Sequence, residues 1–145
     1  IVKVVSDGAV RADQRVVAGS ITLDEPATSI EAGLGYTHVI QPLPADIPGA
    51  GATLQGRKVR PIDLTFRLQD TYALQIDVGY GLIDVPFKNL GNSRLDDRPQ
   101  AFTGDKTVRA FGWRADGTAR AWLISQDTPL PFKLLSIVLR ASLSD

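Results

Sequence analysis

The chain has 145 residues, 43% apolar and 22% charged, with 16 lysines and arginines set against 16 aspartates and glutamates. That length and composition suit a single globular domain able to bury roughly two-thirds of its unfolded surface, and they exclude disordered and fibrous classes. Balanced charge leaves no basic excess to neutralise phosphates, so nucleic acid is not expected as a specifically bound ligand, and the absence of cysteine excludes disulfides, thiolate metal sites and cysteine nucleophiles.

No apolar run reaches membrane-spanning length, and the first seven residues carry neither the charged region nor the apolar stretch of a signal peptide. A chain that starts at Ile1 and contains no methionine is expected to be a piece of a larger protein.

In chain order, short strands are expected at 1–5, 20–24, 28–32 and 36–41, each bounded by Gly, Pro or Asp. Residues 42–56, rich in Pro and Gly, read as a long surface loop. The clearest signal follows: Ile62, Leu64, Phe66 and Leu68 alternate with Asp63, Thr65, Arg67 and Gln69, the pattern of a strand with one buried face. Alternation resumes with Tyr72, Leu74, Ile76 and Val78, so a bulge or tight corner near Asp70 is expected to join two segments and keep the face. A second long loop spans 86–104. Runs 106–113 and 118–125 flank Arg114, Ala115, Asp116 and Gly117, and Asp-Gly supplies the positive φ of a hairpin turn. In the second run Thr118, Arg120, Trp122 and Ile124 share one face, and Ala119, Ala121, Leu123 and Ser125 the other. Such mixed faces suit a strand covered on both sides. The segment 132–143 fits both a strand and a helical stripe; Pro129 and Pro131 lead into it extended, which favours a strand. The expected fold class is all-β, an antiparallel β-sandwich or barrel-like domain with two long loops, occupying 1–145 as a single domain.

Few residues offer chemistry. His38 is the only histidine and no Gly-x-Ser-x-Gly elbow accompanies it, so a structural role is expected over a catalytic one, and a zinc site of the usual kind is excluded. Asp70, Asp77 and Asp84 recur at spacing seven, followed by the Asp96–Asp97 pair, Asp105, Asp116 and Asp127. A glycosidase could use two such carboxylates, and the loop pair could hold a hard cation, but any chain with this many acids offers such pairs by chance. The run GATLQGRK at 51–58 has the glycine spacing of a phosphate-binding loop but lacks its Lys-Ser/Thr ending and leads into a strand, where no helix N-terminus can complete an anion site. The expectation is therefore no catalytic, cofactor or metal residue. Trp113 and Trp122 could form a sugar-stacking platform or be buried in a core or interface, and Arg109, Trp113, Arg120 and Trp122 have the residue types of an interface.

The order of these runs carries a resemblance. GLGYTHVIQPLP from 33, GRKVRPIDLTFRLQDT from 56, FTGDKTVRAFGW from 102, the Asp-Gly turn and SQDTPLPFKLLSIV from 125 resemble, in sequence order, the C-terminal β-region of podovirus tail nozzle proteins, the tail tubular protein B family. The chain departs from that pattern at Tyr72-Ala73 and throughout 86–104. The resemblance implies a non-enzymatic virion tail component. It would assemble with copies of itself into a ring such as a hexamer, beneath portal and adaptor proteins, around a channel that passes DNA without reading its sequence. The alternative from another class is a carbohydrate- or receptor-binding β-module using the tryptophans and the two loops. A glycoside hydrolase or peptidoglycan-degrading fragment built on an acid pair is a third.

Overall fold

The computed structural model describes residues 1–43, 58–87, 100–110, 112–113 and 121–143. Every regular element among them is a strand: β1 (Val2–Ser6), β2 (Ala9–Gln14), β3 (Ile30–Gly33), β4 (His38–Ile40), β5 (Val59–Thr71), β6 (Gln75–Asp77), β7 (Leu82–Asp84), β8 (Phe102–Arg109), β9 (Leu123–Gln126) and β10 (Leu134–Leu143). They form three antiparallel sheets, ordered β2-β1-β3, β10-β5-β8 and β4-β9-β6-β7, none closed into a barrel.

The second and third sheets make a sandwich. Leu64, Phe66 and Leu68 from β5 meet Leu74, Ile76, Val78, Trp122 and Ile124 from the other layer in one buried cluster. Phe66 and Trp122 meet edge to face, 5.9 Å between centroids, the arrangement in which a ring's positive edge meets a negative face. Half-buried Ile137 and Leu139 of β10 and Val108 of β8 extend the layer.

Strand β5 carries the expected alternation with two interruptions. Opposite β10, Arg140 pairs with Asp63 but the next residue, Ala141, pairs with Pro61, so Ile62 is an extra residue. A bulge of this kind shifts the inward set by one position. Ile62, expected inside, is therefore 37% exposed, and Pro61 is buried in its place. Pro61 is tolerated in a central strand because β8 first pairs with β5 at Asp63, so its missing N–H lies beyond that ladder.

The corner near Asp70 is present. The β5–β8 register shifts between Leu68 and Thr71, and Asp70 has a φ of 50° or less, at 44°, in the left-handed region. The face is not simply kept, however: Thr71, not Tyr72, is sealed inside before Leu74, Ile76 and Val78 resume. The corner moves the chain from one layer of the sandwich to the other, since β5 and β6 lie in different sheets.

Thr71 fixes this corner. Its hydroxyl lies 3.1 Å from the carbonyl oxygens of both Gln69 and Lys133 and accepts the Lys133 N–H at 3.0 Å. Replacing it with valine keeps the shape but leaves a buried N–H without its acceptor. Thr71→Val is expected to lower stability by about 1–3 kcal/mol in urea denaturation, with Thr71→Ser retaining most of it.

The first sheet lies outside the shared cluster, its buried apolar residue being Val4. The β1–β2 hairpin turns at Asp7 (φ 50°) and Gly8 (φ 79°), both positive as a two-residue turn of the primed type requires. The Asp7 carboxylate accepts the backbone N–H groups of Thr28 and Ser29 and so holds the approach to β3. The strand expected at 20–24 is absent: Val17 and Ser20 form one isolated bridge around Ala18 and Gly19, and 21–27 contains no strand.

The hairpin expected across 106–125 is not seen in its described arms. β8 pairs with β5, whereas β9 pairs with β4 and β6 in the opposite layer. The Asp116-Gly117 turn and most of both long loops lie outside the described residues, although the stretch from Phe102 to Gly104, expected in a loop, belongs to β8. The ambiguous C-terminal segment is a strand, β10.

Candidate functional site

Of the four residues with interface chemistry, Arg109, Trp113 and Trp122 are described, and of these the first and second are exposed. Trp122 is 7% exposed and belongs to the core, so its ring is withdrawn from any platform with Trp113, which is 50% exposed. Arg109 lies on the solvent face of the β10-β5-β8 sheet. Arg120 lies outside the described residues.

That solvent face is a polar ladder set by register. One row runs Ser136–Arg67–Asp105, the next Val138–Thr65–Thr107, the third Arg140–Asp63–Arg109. Arg67 grips Asp105 with two parallel bonds of 2.8 and 2.9 Å, Thr65 and Thr107 share a 2.9 Å hydroxyl contact, and Arg140 pairs with Asp63. Hydrogen bonding from Arg67, helped by its charge, holds the Asp105 carboxyl below the usual aspartate range. A depressed folded-state pKa makes this contribution present above the unfolded pKa and lost as pH falls through the folded one. Carboxyl-detected NMR titration is expected to show the Asp105 midpoint rising in Arg67→Gln; an unchanged midpoint would mean the pair is not formed in solution.

Of the other acids singled out in the sequence, Asp70 and Asp77 are engaged in structure. Asp70 pairs with Lys133 at 3.6 Å. One carboxylate oxygen of Asp77 accepts the N–H groups of Gly79 and Gly81, closing the turn into β7. Asp84 is exposed on β7, while Asp96, Asp97 and Asp116 fall outside the described residues, as does the 51–58 run apart from Lys58. Among the described residues no group of three or more His, Asp or Glu is placed to hold a metal.

One concave region collects polar groups from distant parts of the sequence. Glu31 of β3, Gly35 and Tyr36 from the passage between β3 and β4, and His38 of β4 face residues 127–132, between β9 and β10, across a cleft of about 480 Å³. The His38 ring stacks on Phe132 at 5.2 Å, and Tyr36 stands 79% exposed. His38 is paired in register with Gln126, and three atoms there, His38 Nε2 and both amide heteroatoms of Gln126, are buried without a hydrogen-bond partner. A general base must reach the proton that it removes, and His38 Nε2 is closed off from solvent.

Sequence reasoning singled out His38 and Asp127 separately. Glu31, Tyr36 and the Thr128–Phe132 stretch join them only through the pairing of β4 with β9, which no local pattern announces.

A second feature lies along the edges of the four-stranded sheet. Among the described residues β4 and β7 are its two outer strands. Val39 on β4 and Leu43, three residues past it, are exposed, as is Leu34 directly after β3, and on β7 Leu82 and Ile83 are exposed. No family model matches the sequence and no curated protein matches it.

Proposed function

We propose that the chain is a non-catalytic assembly module, most consistent with a structural component of a phage tail that packs against copies of itself in a ring around the DNA channel. The observation that carries this reading is the pair of unlike apolar edges, Val39 on β4 with Leu43 after it, and Leu82–Ile83 on β7, on the two outer described strands of one sheet. Exposed apolar side chains in groups mark contact surfaces, and an open strand edge adds unpaired backbone donors and acceptors. Two different patches on one subunit join head to tail, the geometry that gives a ring where the rotation between copies closes and a filament where it does not.

The runs that resemble tail nozzle proteins support the reading from another side. They cover β4, β5 and β8, with the end of β9 and the first half of β10, which are strands of the sandwich. The resemblance is thus one of scaffold. A portal, an adaptor and passing DNA are the partners it would bring, and the virion tail the location.

The experiment is sedimentation velocity of the chain over a wide concentration range. Association that grows with concentration is expected; a single monomeric species at the highest attainable concentration would count against the proposal.

A further inference from the structure

The β4-β9-β6-β7 sheet has an even number of described strands, each antiparallel to its neighbour, so its outer strands β4 and β7 run in opposite directions. When β7 of one copy lies beside β4 of another, with strand direction and sheet face both continued, the new pair is antiparallel like every other pair in the sheet. An odd number of strands would make the same junction parallel.

Pleating then limits the register. On β4, His38 and Ile40 stand opposite the buried Gln126 and Ile124 and share their face, which leaves Val39 on the outer face, exposed. On β7, Ile83 stands opposite the buried Ile76 and shares its face, with its own flank open at the edge, which leaves Leu82 and Asp84 on the outer face. Residues directly opposite each other in a sheet point to the same side. Aligning the two three-residue strands end to end would set Val39 against Ile83, an outward residue against an inward one, so the strands must slip by one position. One slip sets Ile40 against Ile83 but places the Asp84 carboxylate against Val39. The other sets Val39 against Leu82, His38 against Ile83 and Thr37 against Asp84, so that apolar side chains meet on the outer face and the carboxylate meets a hydroxyl.

We propose that copies of this chain join into one continuous antiparallel sheet, β7 of one beside β4 of the next, with Leu82 of one copy opposite Val39 of the other. The occupant of each edge is a second copy because the two edges complement each other in direction, face and side-chain chemistry. A twofold pair of β7 with β7, or of β4 with β4, would leave the other apolar edge open to water. The inference rests on the assembly reading and adds to it the direction and register of the contact.

The chain contains no cysteine, so introduced thiols report only their own neighbours. Val39→Cys and Leu82→Cys are prepared separately, one of them ¹⁵N-labelled to mark its mass, then mixed in equal amounts and oxidised. Directly opposite residues of an antiparallel pair have Cα atoms about 4.5–5.5 Å apart, within the span of a disulfide, whereas diagonal neighbours lie about 7–8 Å apart. The rival slip would bring Gln41, not Val39, opposite Leu82. The mixed disulfide between positions 39 and 82 is therefore expected to form at least about fivefold more readily than the one between positions 41 and 82 from Gln41→Cys with Leu82→Cys. Thr37→Cys with Asp84→Cys is also an opposite pair in the proposed register, leaves both apolar residues in place, and is expected to cross-link. Sedimentation of each mixture under reducing conditions shows whether the copies associate. In mixtures that associate, preferential linkage of 41 to 82, homodisulfides as the main product, or no mixed disulfide in either opposite pair would each overturn this inference and leave the assembly reading standing. A chain that stays monomeric without any substitution would refute both.

Discussion

Replacing Phe66 with alanine is expected to destabilise the chain by about 3–5 kcal/mol, a large share of the roughly 5–15 kcal/mol by which a domain is stable. Phe66 is fully buried at the centre of β5, faces the opposite sheet and meets Trp122 edge to face. Its removal deletes the transfer free energy of a large ring and leaves a cavity between two sheets whose pairing restricts collapse. Trp122 fluorescence in urea reads the loss directly. Ile62→Ala is the informative control, because simple alternation places Ile62 on the same buried face, whereas the bulge turns it outward. Its cost is expected to stay below about 1 kcal/mol. A cost near that of Phe66→Ala would mean that β5 runs without the bulge.

The second large effect concerns association. Replacing Leu82 and Ile83 together with lysine is expected to reduce the chain to a monomer at concentrations where the unaltered protein associates. The substitutions sit on exposed positions of a three-residue edge strand, so the fold should persist, and lysine on an edge both removes apolar contact and opposes pairing. Val39→Lys on β4, with Leu43→Lys beside it, is expected to have the same effect from the opposite edge. Unchanged thermal melting in both variants keeps a loss of association distinct from unfolding.

How far the sequence foretold these features depends on whether the determining interactions are local. The buried face of β5, the corner at Asp70 and the extended C-terminal segment all follow from side-chain alternation, backbone punctuation and proline. The Ile62 bulge does not, because it is set by the register of β10, nearly eighty positions away in the chain. The β2 strand has a local signal, since Asp7-Gly8 between Val4-Val5 and Ala9-Val10 is the same kind of turn pair as Asp116-Gly117. At the latter site the signal misleads about the long arms, because β8 and β9 find partners in opposite layers. Trp122 shows a further limit. Residue type ranks tryptophan high for interfaces and cores alike, and only the facing Phe66 decides between them. For the candidate site the gap is wider, since Glu31, His38 and Asp127 are assembled by the β4–β9 pairing, a contact with no signature in either segment.

The central claim is that two unlike edges of one sheet recognise each other between copies, and mixing the two edge variants tests it most directly. Each alone lacks one half of the contact, yet together they hold one intact β4 edge and one intact β7 edge. Sedimentation of an equimolar mixture is predicted to give a capped 1:1 dimer that neither variant forms alone and that grows no further. Two monomers that ignore each other in the mixture, or a variant that still assembles by itself, would contradict the account.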